Sequence, residues 1–132
     1  MSERTPRRSW EPALLKQRLQ DVIHYGRSIL QTLKDLSYDV FLADSIRQKA
    51  VAYDFQCISE ATGKLLDMDP SIASRYPAIP WSSVRSLANI TRHEYGRLDV
   101  DILWATATGN RLRELLSVAE GELKRLETTD RT

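Results

Sequence analysis

Apolar residues recur at a helical period along almost the whole chain, and this pattern constrains the fold more than any other feature of the sequence. Between positions 12 and 35 they follow one another at spacings of four, three, four, three and four, which places them on one face of a long helix. The residues of this stripe are Leu15, Leu19, Val22, Gly26, Ile29 and Leu33. No stretch alternates between apolar and polar residues as a half-buried strand would. The chain is therefore predicted to be helical.

The same period predicts three further helices. The second is expected over about residues 39–66, the third begins near Trp81, and the fourth begins at Asp99 or Asp101. Gly109 is expected to kink the fourth helix, because glycine weakens a helix interior. The apolar residues expected to line the second helix include Phe41, Leu42, Ile46, Ala50 and Ile58.

These elements predict an all-α fold, an up-and-down helical bundle of four long helices plus a short turn. The short turn is expected within residues 70–80, which hold three prolines. With 132 residues the chain has the size of one domain. We expect a flexible basic tail at residues 1–8, a single helical domain at residues 9–127, and a second tail at residues 128–132.

Charge and cysteine content exclude several classes of protein. The 19 basic residues nearly balance the 18 acidic ones, so any contact with nucleic acid would need a local basic patch. The single Cys57 excludes an internal disulfide and, with His24 and His93 as the only histidines, argues against a zinc site. No apolar run approaches the ~20 residues that a membrane span needs, and the N-terminus lacks a secretory signal. A cytoplasmic protein without a cofactor or a membrane partner is expected.

The segment 81–98 carries the residues with chemistry. Wound as a helix at ~100° per residue, it gathers one group of polar side chains on one face, and these are Arg85, Asn89, Arg92 and His93. Arginine binds phosphate through forked donors, and imidazole transfers protons near neutral pH. RNA supplies its own nucleophile, the 2′-hydroxyl, so cleavage needs only a base, an acid and positive charge, without a metal. The alternative, a merely solvated helix face, stays open at this point.

The order of the landmarks resembles the HepT-like toxin family, within the larger group of HEPN ribonuclease domains. The similar pieces are Ile58-Ser59-Glu60-Ala61, Tyr76-Pro77-Ala78-Ile79-Pro80-Trp81, Asn89, His93-Glu94-Tyr95 and Asp99-Val100-Asp101-Ile102-Leu103-Trp104. The likeness covers roughly residues 12 to 127. It implies an HEPN-like bundle and a homodimer whose two signature helices face each other across a cleft, where RNA is cleaved without a metal.

The family signature is an arginine followed directly by asparagine, then a histidine five positions after the arginine, any residue, and a tyrosine. The resemblance places the histidine at His93, the tyrosine at Tyr95 and the asparagine at Asn89, but the arginine position holds Ala88. This departure removes a phosphate-binding guanidinium from its usual place, a loss worth on the order of 10²–10³ in rate.

Two neighbouring arginines are expected to replace the missing one, Arg92 first and Arg85 second. The predicted catalytic residues are therefore His93, Arg92 and Arg85. Asn89 and Tyr95 are expected to support them. Glu60 is assigned a supporting role too, although a solvated acid is an equal alternative.

The resemblance further implies a partner, a small nucleotidyltransferase antitoxin of a type VII-style toxin–antitoxin pair. In some members the antitoxin transfers AMP to the signature tyrosine, here Tyr95, and the added phosphate would repel RNA. Two functions stay open. The first is an active endoribonuclease acting on RNA, with tRNA as one candidate, and it is favoured by His93. The second is a catalytically weakened dimeric antitoxin-binding module, and it is favoured by Ala88. A plain helical scaffold would follow if the segment with His93 packed inward.

Overall fold

The structure, a computed structural model, describes residues 11–90 and 98–130. These residues fold into helices joined by short connections, which confirms the all-α fold expected from the apolar period. The helices are α1 (Glu11–Thr32), α2 (Tyr38–Leu42), α3 (Ser45–Met68), α4 (Ser71–Arg75), α5 (Trp81–Arg85), α6 (Leu87–Ile90), α7 (Val100–Thr108) and α8 (Asn110–Asp130). No helix in this part of the chain is long and apolar enough to cross a bilayer.

Helix α1 matches the first predicted helix closely, because its apolar stripe is long and unbroken. Leu19, Val22 and Ile29 on this stripe are almost fully buried. Gly26 lies where α1 approaches α8, since a Cβ atom at this position would lie only 2.5 Å from Cδ2 of Leu116. The absence of a side chain at Gly26 therefore sets how closely these two long helices pack.

The second predicted helix is divided in two by a capping residue. The Asp44 carboxylate accepts a hydrogen bond from the Arg47 amide at 3.0 Å and starts α3, so α2 ends at Leu42. The prediction of one helix over residues 39–66 is therefore wrong at this point. Leu42 and Ile46, expected to line the core, are instead 50% and 79% exposed.

The third and fourth predicted helices are also interrupted. Ser86 separates α5 from α6 with a ψ of 7°, far from helical values, so a single helical wheel does not extend across it. Gly109 adopts an extended conformation between α7 and α8, so the expected kink is a complete break. Asp99 caps α7 by accepting a hydrogen bond from the Ile102 amide at 3.0 Å, as its position before the helix predicted.

Helix α3 lies at the centre of the bundle. It packs against α1 on one side and against α5 and α6 on another, and α8 packs against α1. Phe55 and Ile58 on α3 are 1% and 0% exposed and form the middle of the core. Helix α8 continues to Asp130 and so includes the first residues of the segment that we assigned to the C-terminal tail. The short helix α4 matches the turn expected within residues 70–80.

Candidate functional site

A buried carboxylate on α8 fixes the chain just before α5. Glu122 is only 2% exposed and accepts hydrogen bonds from Tyr76 Oη at 2.7 Å, Arg75 Nη2 at 2.9 Å and Arg125 Nη2 at 2.7 Å. The carbonyl of Tyr76 in turn accepts a hydrogen bond from Trp81 Nε1 at 2.9 Å, at the first residue of α5. The start of the helix that carries Arg85 is thus tied to α8 through a chain of polar contacts.

The electrostatics of this cluster keep Glu122 ionised. Burial alone would raise the pKa of Glu122, but hydrogen bonds from Arg125, Tyr76 and Arg75 outweigh it and lower the pKa to about 2. The same contacts raise the pKa of Tyr76, because its hydroxyl donates to the carboxylate. The cluster is therefore a charged anchor at neutral pH, not a proton donor.

Arg85 is the last residue of α5 and lies across the surface of α3. Its carbonyl accepts a hydrogen bond from the Ser59 hydroxyl, which fixes the backbone. Its side chain passes over Gly63, where a Cβ atom would lie 3.6 Å from Nε, and Nη2 pairs with Asp67 Oδ1 at 3.0 Å. Both members of this ion pair are well exposed, at 50% and 66%. An exposed pair contributes little free energy, so Asp67 holds the guanidinium only weakly.

Asn89 lies on α6, the short helix that follows Arg85. Its side chain is exposed, and its backbone N–H donates to the Ser86 carbonyl at 2.9 Å. Ala88 beside it is half-buried. The two described polar residues of the predicted face, Arg85 and Asn89, thus both reach solvent, each from its own short helix.

Glu60 lies on the outer face of α3. It is exposed, and its carboxylate accepts a hydrogen bond from Lys64 Nζ at 3.0 Å, which lowers the pKa of Glu60. Arg92, His93 and Tyr95 lie outside the described residues. Their roles, like those of Arg85, Asn89 and Glu60, therefore stay predictions.

Sequence reasoning did not single out Glu122, Arg75 or Arg125, although one signal for Glu122 was present. Glu122 continues the apolar stripe of α8 three positions after Ala119, so an acid stands on the core-facing side of the helix. An ionisable residue on such a stripe needs a counter-charge, since a buried unpaired carboxylate is costly. No group of three metal-ligating side chains was found within residues 11–90 and 98–130.

The helical fold agrees with the family to which the sequence belongs. The family model of HepT-like ribonucleases matches residues 22–121, so the chain belongs to the HepT-like ribonuclease family. This membership confirms the family resemblance and supports the expectation of an endoribonuclease.

Individual relatives of this chain are named as ribonucleases. The chain is 26% identical over 110 residues to "Putative RNase MJ0127" of Methanocaldococcus jannaschii, an alignment that covers 79% of this chain and 88% of that protein. It is 27% identical over 90 residues to "Putative RNase MJ1380" of the same organism, covering 68% and 80%. It is 28% identical over 92 residues to "Probable ribonuclease HepT" of Thermococcus cleftensis, covering 69% and 80%. The search of solved structures gave no match.

Proposed function

We propose that this protein is a HepT-type toxin that cleaves RNA without a metal ion, at a cleft between two copies of the chain. The observation that supports this proposal most directly is Arg85, a guanidinium exposed beside the signature segment and held only by a solvent-exposed ion pair. Family membership supports the reaction class, and the residues expected to perform the chemistry follow from the signature.

The reaction needs no group that this chain lacks. His93 takes the proton from the 2′-hydroxyl, the 2′-oxygen attacks phosphorus, and the bond to the 5′-oxygen breaks as that oxygen receives a proton from water. The protonated His93 then returns its proton to the resulting hydroxide. The products are a 2′,3′-cyclic phosphate and a 5′-hydroxyl end. Arg92 and Arg85 stabilise the charge of the phosphorane, and Asn89 and Tyr95 lie beside them as hydrogen-bond donors. Glu60 supports the site through α3.

The decisive experiment compares the two histidines of the chain. Wild type, His93→Ala and His24→Ala are incubated with total RNA or tRNA in EDTA, and the products are tested for 2′,3′-cyclic phosphate. We expect cleavage that survives the chelator, falls on the order of a hundredfold in His93→Ala, and persists in His24→Ala, whose exposed side chain lies on α1. Equal cleavage by all three proteins would contradict the assignment of His93.

The contribution of Arg85 is separable from that of its ion-pair partner. Arg85→Ala should lower RNA cleavage about tenfold or more, because it removes positive charge from the scissile phosphate. Asp67→Asn should lower KM by up to about fivefold, because it frees the guanidinium from an exposed pair. Arg47→Ala is the matched control, since Arg47 pairs with Asp44 at the far end of α3 through side chains that are 47% and 23% exposed. An Arg85→Ala protein as active as Arg47→Ala would leave Arg92 as the only replacement for the missing arginine.

Ala88, in place of the signature arginine, favours a second function. This is a dimeric module that binds an antitoxin and has weakened activity. We infer the same partner for both functions, a nucleotidyltransferase-type antitoxin that forms a bond between the Tyr95 oxygen and the α-phosphorus of ATP and releases pyrophosphate. Mass spectrometry after co-expression should find one added AMP in wild type and in Tyr38→Phe, and none in Tyr95→Phe. A stable complex without RNA cleavage by the unmodified protein would support the binding module instead.

A further inference from the structure

A recess between two pairs of helices is distinct from the ion pair that Arg85 forms with Asp67. It has a volume of about 450 Å³ and lies between α5 and α6 on one side and α7 and α8 on the other, with Phe55 of α3 also in its lining. Its apolar walls include Val84, Leu87, Leu112 and Leu115, each between 4% and 8% exposed. The recess also opens to solvent, because Ser83, Ala105 and Arg111 in its lining are exposed.

Small residues keep this space empty. Ser83, Ala105 and Gly109 line the recess at positions where larger side chains would fill it. A volume of about 450 Å³ falls within the range of roughly 300–1,000 Å³ that is typical of small-molecule sites with apolar walls and few polar groups.

Arg111 supplies the charge of this site. It lines the recess from the first turn of α8 and is exposed, and within residues 11–90 and 98–130 no hydrogen-bond or ion-pair partner was found for its guanidinium. Arg75, Arg85 and Arg125, by contrast, are each paired with a carboxylate. The first turn of a helix also carries partial positive charge, which favours an anion beside Arg111.

We propose that the recess binds a small organic anion whose apolar body occupies the space between the helices and whose carboxylate or sulfonate pairs with Arg111. Thr106 and Ser83 also line the recess and offer hydroxyl groups to the polar end of such a ligand. Arg85 leaves α5 toward Gly63 and Asp67 of α3, whereas Ser83 and Val84 face the recess. The ligand position proposed here therefore differs from that of the Arg85 guanidinium, and testing it needs no measurement of RNA cleavage.

Calorimetric titration with decanoate tests the proposal, and decanol serves as the neutral probe of the same chain length. The matched variants are Arg111→Ala and Arg113→Ala, which remove the same charge from exposed positions two residues apart on α8, while only Arg111 lines the recess. We expect one decanoate per chain, binding about tenfold weaker in Arg111→Ala and unchanged in Arg113→Ala. Decanol should bind wild type about tenfold more weakly than decanoate does.

A substitution that fills the recess provides a second test of the proposal. Ala105→Phe should abolish decanoate binding, because the ring occupies the space of the apolar body. Equal losses in the two arginine variants, equal binding of decanol and decanoate, or full binding by a folded Ala105→Phe protein would each overturn the proposal. Should Ala105→Phe fail to fold, methyl NMR of wild type decides: decanoate must shift the methyl signals of Leu87 and Leu112 more than those of Leu19, and an equal response overturns the proposal.

Discussion

Replacing Glu122 by glutamine tests whether the buried carboxylate holds α8 to the chain before α5. The contacts of Glu122 lower its pKa from 4.5 to about 2 in the folded protein. At about 1.36 kcal/mol per pKa unit, this shift corresponds to roughly 3 kcal/mol of folding free energy at neutral pH. In the Glu122→Gln variant, water can hydrate the arginine side chains that lose their partner, because Arg75 is 34% and Arg125 48% exposed. This hydration offsets part of the lost folding free energy. We therefore expect Glu122→Gln to lower the free energy of unfolding by about 2–3 kcal/mol at pH 7.

The pH dependence of this loss follows from the direction of the shift. A carboxylate whose folded pKa lies below its unfolded pKa stabilises the protein fully above the unfolded value, here 4.5, and loses that effect as the pH falls through the folded value of about 2. Arg75, Arg125 and Tyr76 face Glu122 and keep their protons across this range. Asp69, which also pairs with Arg75, has a lowered pKa too, because hydrogen bonds from Ser71 and Arg75 outweigh its burial. The negative charge of Glu122 also raises the pKa of Asp69, so the difference between variant and wild type reports on Glu122 together with its coupling to Asp69.

Urea denaturation followed by circular dichroism measures this difference at several pH values. Glu120→Gln is the matched control, because Glu120 lies two residues away on α8 and pairs with Arg27 at 3.2 Å through side chains that are 47% and 64% exposed. Such an exposed pair contributes less than about 1 kcal/mol. Glu122→Gln should also melt on the order of 10 °C below wild type at pH 7. Equal losses in the two variants, or a loss from Glu122→Gln that stays constant between pH 7 and about pH 2.5, would refute the reasoning.

Two further predictions concern the signature and the packing of α1. Ala88→Arg restores the arginine of the family signature, so it should raise kcat for RNA cleavage by on the order of tenfold, measured in EDTA; an unchanged kcat would mean that the arginine is dispensable here. Gly26→Ala should lower the free energy of unfolding by about 1–3 kcal/mol, because the new methyl group meets Leu116 at 2.5 Å. Gly121→Ala, with nothing within 4 Å of the new Cβ atom, should instead raise it by about 0.5–1 kcal/mol in urea denaturation, and a loss there would contradict the packing argument.

The apolar period predicted the helices but not where they break. Helix α1 has no competing cap inside its stripe, so its length followed directly from the sequence. Asp44 instead interrupts a region whose apolar spacing continues across it, and the side-chain cap outweighs the period. The period alone also could not distinguish core from surface at a helix start, which explains why Ile46, expected to be buried, is 79% exposed.

The sequence predicted which side chains of the candidate site are exposed, but not the contacts that position them. The exposure of Arg85 and Asn89 agrees with a polar face on segment 81–98, although Ser86 divides that face between two helices. The contacts that position Arg85 were not predictable, because Ser59 and Gly63 lie more than twenty residues away in the sequence. A residue pattern within one segment carries no information about such long-range contacts.

The contacts of Arg85 bear on whether it can replace the signature arginine that is missing at Ala88. A phosphate-binding arginine needs a fixed backbone, room for its side chain and a counter-ion that holds it only weakly. Arg85 has all three, in the hydrogen bond from Ser59, the open surface over Gly63 and the exposed pair with Asp67. Ser86 ends α5 before α6 begins, so the wheel angle of one continuous helix does not describe positions 85 and 88. These contacts make Arg85 suitable to replace the missing arginine, while Arg92, expected first from the sequence, lies outside the described residues.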